Sequence, residues 1–437
     1  MRFIRLAAAA DRPAVGVAEL AARSEIDLLQ LDYRRPRRVP VGSQAQAPEF
    51  APGFIGTLAS LQNAMFLEAD FCIVTSAGWS NAMHCVEEAA GVLCRSGGED
   101  VPISAVRGAN VLPILDFLVA SRVDLSHAVT GRPFRELKSP IAAADLEIGA
   151  GPFALALAEG ARLLVAGCYC GAAPAIAMAR ERHGWEWSEY DKLAGAAAAA
   201  RGASWPAGMD VIVDEGAGKR TPRLRPMVAE VESAGEFLLT GPAASEPGAE
   251  KVFERWIASD AGPSGKFHAA DVHGQLAGLR VEGAGKDRLA VAGGAGAGPS
   301  DRWRLDVYYQ RGFTAAMLLE VASIDGIRPP ESLAEALEAT LLAAARPGDV
   351  VDIERLQSQR DPGEAPRWLS VAVHAATQGA CAAIVDAGLA FAARYHAQLQ
   401  LVGSSPKVLV DYEVWPAWVP RDAVDLAVDT RPAKEWR

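Results

Sequence analysis

The sequence predicts an α/β fold: a mostly parallel sheet with helices on both faces, followed by an α+β domain that is partly ferredoxin-like. Three observations carry this. Apolar runs of strand length alternate with helical patterns through the first half of the chain. Those runs are continuous rather than alternating, as strands buried on both faces are. After about residue 220 the pattern changes to paired strands with Gly-rich turns, then to two helix-plus-strand units. The division read from this is an α/β, Rossmann-like domain over 1–220 and an α+β domain over 221–437. No repeat of fixed period is present.

The elements follow in order. "RFIRLAA" is strand-like, and "PAVGVAELAARS" is helical with proline at its start. "IDLLQLD" is a short apolar strand. "GTLASLQNAMFLEA" is helical, "DFCIVTS" is a strand, and "SNAMHCVEEAAGVLCRSG" is a helix that carries its own glycine stop. "VPISAVRG", "VLPILDFLVAS", "PFALALAEG" and "ARLLVAGC" continue the strand, helix, helix, strand sequence, and two helices, "APAIAMARERHG" and "SEYDKLAGAAAAARG", close the region. Beyond residue 220, "RPMVAEVES" and "GEFLLTG" read as strands around a turn. The Gly-rich "AGGAGAGPS" reads as a long hairpin turn, because it lies between strands, whereas a phosphate loop opens a helix.

Composition excludes several classes. The chain has 437 residues, half of them hydrophobic, and a net charge of −11. That charge argues against a general nucleic-acid binder, which needs a basic face, and against an anionic membrane surface. No apolar run reaches membrane-spanning length. Arg5 interrupts the apolar N-terminus, which reads as a first strand rather than a signal peptide. The six cysteines show neither a CxxC pair nor Cys/His ligand spacing, so the expectation is a cytoplasmic chain without disulfides and with no metal site.

Ligands of open parallel sheets bind beyond the carboxyl ends of the strands, so candidate residues are sought there. After the first strand, Asp11 is either a site residue or a helix N-cap. After the second comes "LDYRRPRRVP". Asp32 is the candidate acid or base, and Arg34 and Arg35 open the densest basic cluster in an acidic chain. Guanidinium groups suit phosphate or carboxylate, while the alternative is a solvated loop. After the third strand, "IVTSAGWSNAMHC" offers the hydroxyls of Thr75 and Ser76, close backbone approach at Gly78, and a helix start capped by Ser80 or Asn81, whose amides favour an anion. "GAGPFALAL" sets Gly149 and Gly151 at another helix start. "GCYCGAAPA" follows the clearest strand with Gly167, Cys168 and Cys170. The two thiols, spaced by a strand period, point one way and are read as core or lining cysteines. His183, Trp185 and Trp187 either wall an apolar pocket or join two helices.

Taken together, "DYRR", "IVTSAGWSNA", "GAGPFALALAEGARLLVAGCYCGAAPAIA", "HGWEWSEYDKLAGAAAAARG" and "VFERWIASDAGPSGKFHAADV" resemble, in order, segments of the acyclic terpene utilisation AtuA-like family. The β-rich "LRVEGAGKDRLAVAGGAGAGPSDRWRLDVYYQRGFTA" and the closing "LQLVGSSPKVLVDYEVWPAWVPRDAV" extend the resemblance over most of the chain. It implies bacterial catabolism of citronellol- and geraniol-type compounds beside acyl-CoA enzymes. Asp11, Asp32, Tyr33, Thr75, Ala77, Gly78, Gly149, Gly167, Gly184, Trp185 and Trp187 fall on its motif positions. The chain departs from the pattern at "AAAADRP", at Ser76 where the family has Asn, at Cys168 and Gly171 where it has Arg and Asp, and at "ASWPAG". The resemblance therefore implies a divergent member.

The expected ligand is a small molecule, a branched acyl-CoA, terpenoid or related carboxylate. Arg34 and Arg35 would hold phosphate, and Thr75, Ser76 and the amides near Gly78 would hold a carboxylate or thioester oxygen. The alternative is a non-catalytic paralogue or subunit that partners an intact homologue or acyl-CoA enzyme. No cofactor is read from the sequence. "EVWPAWVP", aromatic and apolar near the terminus, suggests a homo-oligomer or a heteromer with a related subunit.

Overall fold

The computed structural model describes residues 1–14, 16–23, 25–41, 49–61, 71–205, 208–214, 219–259, 265–276, 278–321, 332–356 and 368–437. Six strands from the first part of the chain place the candidate site: β1 (Arg2–Ala8), β2 (Leu28–Tyr33), β3 (Cys72–Thr75), β4 (Pro102–Arg107), β5 (Ile141–Glu147) and β6 (Leu163–Val165). All but β5 pair in parallel, in the order β1-β2-β3-β6-β4. Their side chains alternate between two cores. Phe3, Leu28 and Val74 face one side of the sheet, and Ile4, Leu29 and Ile73 the other. Burial on both faces is what continuous apolar strands require.

The sheet does not end with these five. Val228–Val231 joins β1 antiparallel and is followed outward by Phe237–Thr240, Arg288–Ala292 and Arg280–Gly283, while Ala427–Pro432 joins β4 antiparallel. The full sheet has ten strands and is mixed rather than mostly parallel. The reason is connectivity: strands linked by short turns, such as 228–231 and 237–240, can only return antiparallel. Strands from beyond residue 220 thus extend the sheet begun by β1 at both edges.

The helices are α1 (Val17–Arg23), α2 (Pro52–Ser60), α3 (Ala82–Arg95), α4 (Leu115–Ala120), α5 (Gly151–Ala158), α6 (Ala173–His183) and α7 (Tyr190–Ala203). The continuation expected for α2 beyond residue 61 lies outside the described residues. Helices α5, α6 and α7 pack with Phe3 and Leu28, and α2 and α3 with Ile4 and Leu29. Helix α6 ends at Gly184, whose φ of 67° is the left-handed cap that glycine adopts without strain. Helix α7 is buried almost all round, which its alanines permit because they let neighbours approach closely. One neighbour is the Gly-rich segment. It is not only a turn: Ala295–Ala297 is a strand of a three-stranded sheet. At Gly296 a Cβ would run into the Tyr190 carbonyl at the start of α7.

A second sheet is built on one 20-residue strand, Arg302–Val321. Its first part lies between β5 and Leu409–Pro420, and its last part pairs with Trp368–Ala375 and Leu399–Leu401. With Ser332–Ala344 (the next helix but one, after Ala249–Ala258), Val350–Leu356 and the helix Gln378–Arg394, it makes a β-α-β-β-α-β unit. The four strands run 350–356, 368–375, 302–321, 399–401 across the sheet. The aromatic segment near the terminus lies inside this sheet: Trp415 is buried and donates from Nε1 to the Leu125 carbonyl at 3.0 Å, while Trp418 is 39% exposed.

Candidate ligand crevice

The carboxyl ends of β1 and β2 open into two cavities that share Arg5, Arg34 and Arg201 as lining residues. The larger, about 650 Å³, runs along Ala7–Ala9 and is closed by Val17, Trp205, Met227 and Trp256. Asp32 and Arg12 are its other charged groups. The smaller, about 260 Å³, lies under α7 and Phe267 and is lined by Glu147, Cys170 and His268. The larger volume falls within the range of small-molecule sites. Alanine, valine, methionine and tryptophan side chains share the wall of the larger cavity with four arginines and Asp32.

Asp32 sits at the centre with both oxygens engaged. Oδ2 accepts from Arg5 Nε at 2.7 Å, and Oδ1 accepts from Gln30 Nε2 and from the Tyr169 hydroxyl, both at 3.0 Å. Burial works against the Arg5 charge, but Asp32 outweighs it, and the Arg5 pKa is raised. The Tyr169 hydroxyl is pushed well above its ordinary range by burial and then by the Asp32 charge, so it stays a donor. A carboxylate that accepts three hydrogen bonds is held in one orientation, and it aims Arg5. Gly171 completes the arrangement, because a Cβ there would overlap the Arg5 guanidinium.

Arg34 and Arg35, adjacent in sequence, part company. Arg34 is exposed and lines both cavities. Arg35 turns inward, where its Nε donates to Asp145 Oδ2 at 3.0 Å and its Nη2 to Ser80 Oγ at 2.9 Å, with the guanidinium 5.5 Å from the Trp79 ring and 5.7 Å from Tyr308. Both partners of the pair are nearly excluded from solvent, at 9% and 4% side-chain exposure.

The "TSAGWSN" stretch forms the junction between β3 and α3. Thr75 donates to the Leu31 carbonyl, and Ser76 both accepts from the Tyr33 amide and donates to the Tyr33 carbonyl. Asn81 caps α3 by accepting from the His84 amide at 3.1 Å, and the Ser80 and Asn81 amides reach the Glu49 carbonyl. Gly78 lies against the Ala166 carbonyl, and Gly167 against that of Trp79. The groups read as ligand contacts therefore bond to the chain itself. None of Thr75, Ser76, Gly78 or Asn81 lines either cavity.

The remaining candidates are spread more widely. Asp11 is 83% exposed, 3.9 Å from Arg12, and precedes α1 by several residues. Gly149 lies against Asp271, whose carboxylate accepts from the Ala150 amide at 2.9 Å at the start of α5, and Gly151 opens that helix. Burial raises Asp271 to about 6, against the pull of the Ala150 amide and Arg421. Cys168 and Cys170 lie past the end of β6 rather than in it. Burial and Glu147 push both thiols up, Cys170 to about 12. Trp185 donates to the Ser233 carbonyl and stacks on His183, away from both cavities.

Arg5, Gln30, Tyr169, Arg201, Asp145 and Glu147 were not among the candidates read from the sequence. Arg5 had a readable signal, a charge inside an otherwise apolar first strand. Asp145 and Glu147 lie in "IAAADLE", whose alternating acids suit a strand with one polar face.

No group of three or more His, Cys, Asp or Glu side chains placed to hold a metal ion occurs among the described residues. Nor is any helix among them long and apolar enough to cross a membrane.

Fold and crevice together define a mixed α/β protein with a small-molecule-sized, arginine-lined opening at the carboxyl ends of its first two strands. Residues 5–430 match the family described as acyclic terpene utilisation family protein AtuA, and the chain belongs to that family. Comparison with curated proteins gives no match. Comparison with solved structures gives none either. Membership assigns the chain, broadly, to acyclic terpene utilisation.

Proposed function

We propose that the crevice binds a branched acyl chain carrying an anionic or carbonyl head, as a free carboxylate or a coenzyme A thioester. One observation carries this: Arg5, Arg34 and Arg201 line both the larger cavity, whose wall also holds alanine, valine, methionine and tryptophan, and the smaller one. An apolar wall takes a branched hydrocarbon by excluding water, and planar guanidinium groups take carboxylate or phosphate oxygens in pairs. Asp32 serves this reading as the group that orients Arg5, not as the acid or base. Of the two arginines read from "DYRR", Arg34 is the ligand contact and Arg35 a structural one.

Calorimetric titration with isovaleryl-CoA, coenzyme A and a free ten-carbon branched acid tests the reading. The thioester or the free acid binds the unmodified protein, and Arg34→Ala weakens it about tenfold or more, the loss of one charge-assisted contact. Absence of binding by all three, or an unchanged affinity in Arg34→Ala, overturns it.

A further inference from the structure

Glu147 is the last residue of β5, where the second sheet meets the crevice, and it lines the smaller cavity beside Arg5 and Arg34. It is the one carboxylate lining that cavity among the described residues. Its situation is opposite to that of Asp32. Where Asp32 accepts three short hydrogen bonds, Glu147 Oε2 stands 3.8 Å from Arg304 Nε, beyond hydrogen-bond reach, and Arg304 bonds instead to Asp306 at 3.0 Å. The Cys170 thiol is its hydrogen-bonding neighbour, and burial holds that thiol protonated. Burial also raises the Glu147 carboxyl, against the lowering pull of Arg304, Cys170 and Arg5, so it carries a proton more readily than a surface glutamate does. A half-buried carboxylate and guanidinium groups on one cavity wall are the two parts needed to move a proton next to a carbonyl: a base for the hydrogen and a cation for the oxygen.

From this juxtaposition we infer that Glu147 is a proton-transfer residue that removes and returns a hydrogen on the carbon adjacent to the carbonyl of a bound acyl thioester. The inference rests on the binding reading above. In the step, the Glu147 carboxylate takes the hydrogen as a proton, and the C–H electron pair forms the carbon–carbon double bond of an enolate. The negative charge moves to the carbonyl oxygen, facing Arg34. Glu147, now a carboxylic acid and 31% exposed, exchanges its proton with solvent and returns one to the same carbon, so no oxidant, reductant or second substrate is consumed.

The test follows the two hydrogens next to the carbonyl of isovaleryl-CoA by proton NMR in D2O. With the unmodified protein their signal disappears. With Glu147→Gln, which keeps size and hydrogen bonding, the loss slows by about 10²- to 10⁴-fold, the usual contribution of a positioned acid or base, while the calorimetric Kd stays within about threefold. Glu147→Asp, which keeps the carboxylate, retains intermediate exchange and serves if the glutamine variant does not fold. A thioester that binds without exchange, or exchange at an equal rate in Glu147→Gln or Glu147→Asp, overturns the inference and leaves the binding reading standing. A thioester that does not bind overturns both.

Discussion

Arg5 and Asp32 are bonded across neighbouring parallel strands, with Nε 2.7 Å from Oδ2, where the sheet opens to solvent. Each is less than one-fifth exposed, and Tyr169, from the loop after β6, donates to the other oxygen at 3.0 Å. This bond decides which way the Arg5 guanidinium points, and so determines the charge at the mouth of both cavities. Removing the charge in Asp32→Asn leaves the mostly buried Arg5 without its counter-ion. The variant is destabilised by about 2 kcal/mol in urea unfolding, below the range for a fully buried pair because the site is partly wet. A loss of less than about 0.5 kcal/mol would show the bond to be incidental.

Gly171→Ala tests the same geometry from the other side. The added methyl overlaps the guanidinium, which Asp32 holds in place. The substitution costs about 1–2 kcal/mol as overpacking and weakens ligand binding. In an Arg5→Ala background the cost falls to near zero, because the obstructing group is gone. Equal costs in both backgrounds would place the strain elsewhere.

The Arg35–Asp145 pair is structural and nearly dry. Arg35→Leu alone strands a buried carboxylate and costs about 3–5 kcal/mol. Arg35→Leu combined with Asp145→Leu recovers most of that loss, since two apolar side chains need no compensation. A double-mutant cycle by urea unfolding reads the coupling, and additive losses would contradict it.

Asp271 gives the protein a pH dependence of known sign. Its native pKa is raised to about 6 from an ordinary 3.8, chiefly by burial. Above pH 6 the carboxylate is charged in both native and unfolded chains and its burial is a constant cost. As pH falls through about 6 toward 4, the native protein takes up a proton before the unfolded chain does, so this group makes the protein more stable. Asp271→Asn keeps an oxygen for the Ala150 amide and removes the titration. The difference in stability between the two proteins therefore shrinks as pH drops from 7 to 5. A constant difference over that span would refute the assignment.

The thiols of Cys72 and Cys170 are each pushed up to about 12 by burial, and Cys85 is raised by burial as well. Since the thiolate is the reactive form, these three label with iodoacetamide at pH 8 far more slowly in the native protein than in urea. Peptide mapping after a timed quench distinguishes them, and fast native labelling of Cys85 would contradict its burial.

The sequence by itself determined the elements and the end of the sheet to search. Continuous apolar runs marked β1, β2, β3, β4 and β6 because strands buried on both faces allow nothing else. A cap at Ser80 or Asn81 was readable because capping depends on residues only three apart, and the structure gives the role to Asn81. The order of its segments pointed to the AtuA family, which residues 5–430 match. Tertiary structure alone decided what the polar groups do. Whether an arginine faces a ligand or a carboxylate depends on partners far along the chain: Asp145 lies 110 residues from Arg35, and Asp32 lies 137 from Tyr169. The same distance effect turned a mostly parallel expectation into a mixed sheet, since Val228–Val231 and Ala427–Pro432 join its parallel strands from remote sequence. Periodicity reports which side of an element is apolar, and it carries no information about which other element will meet that side.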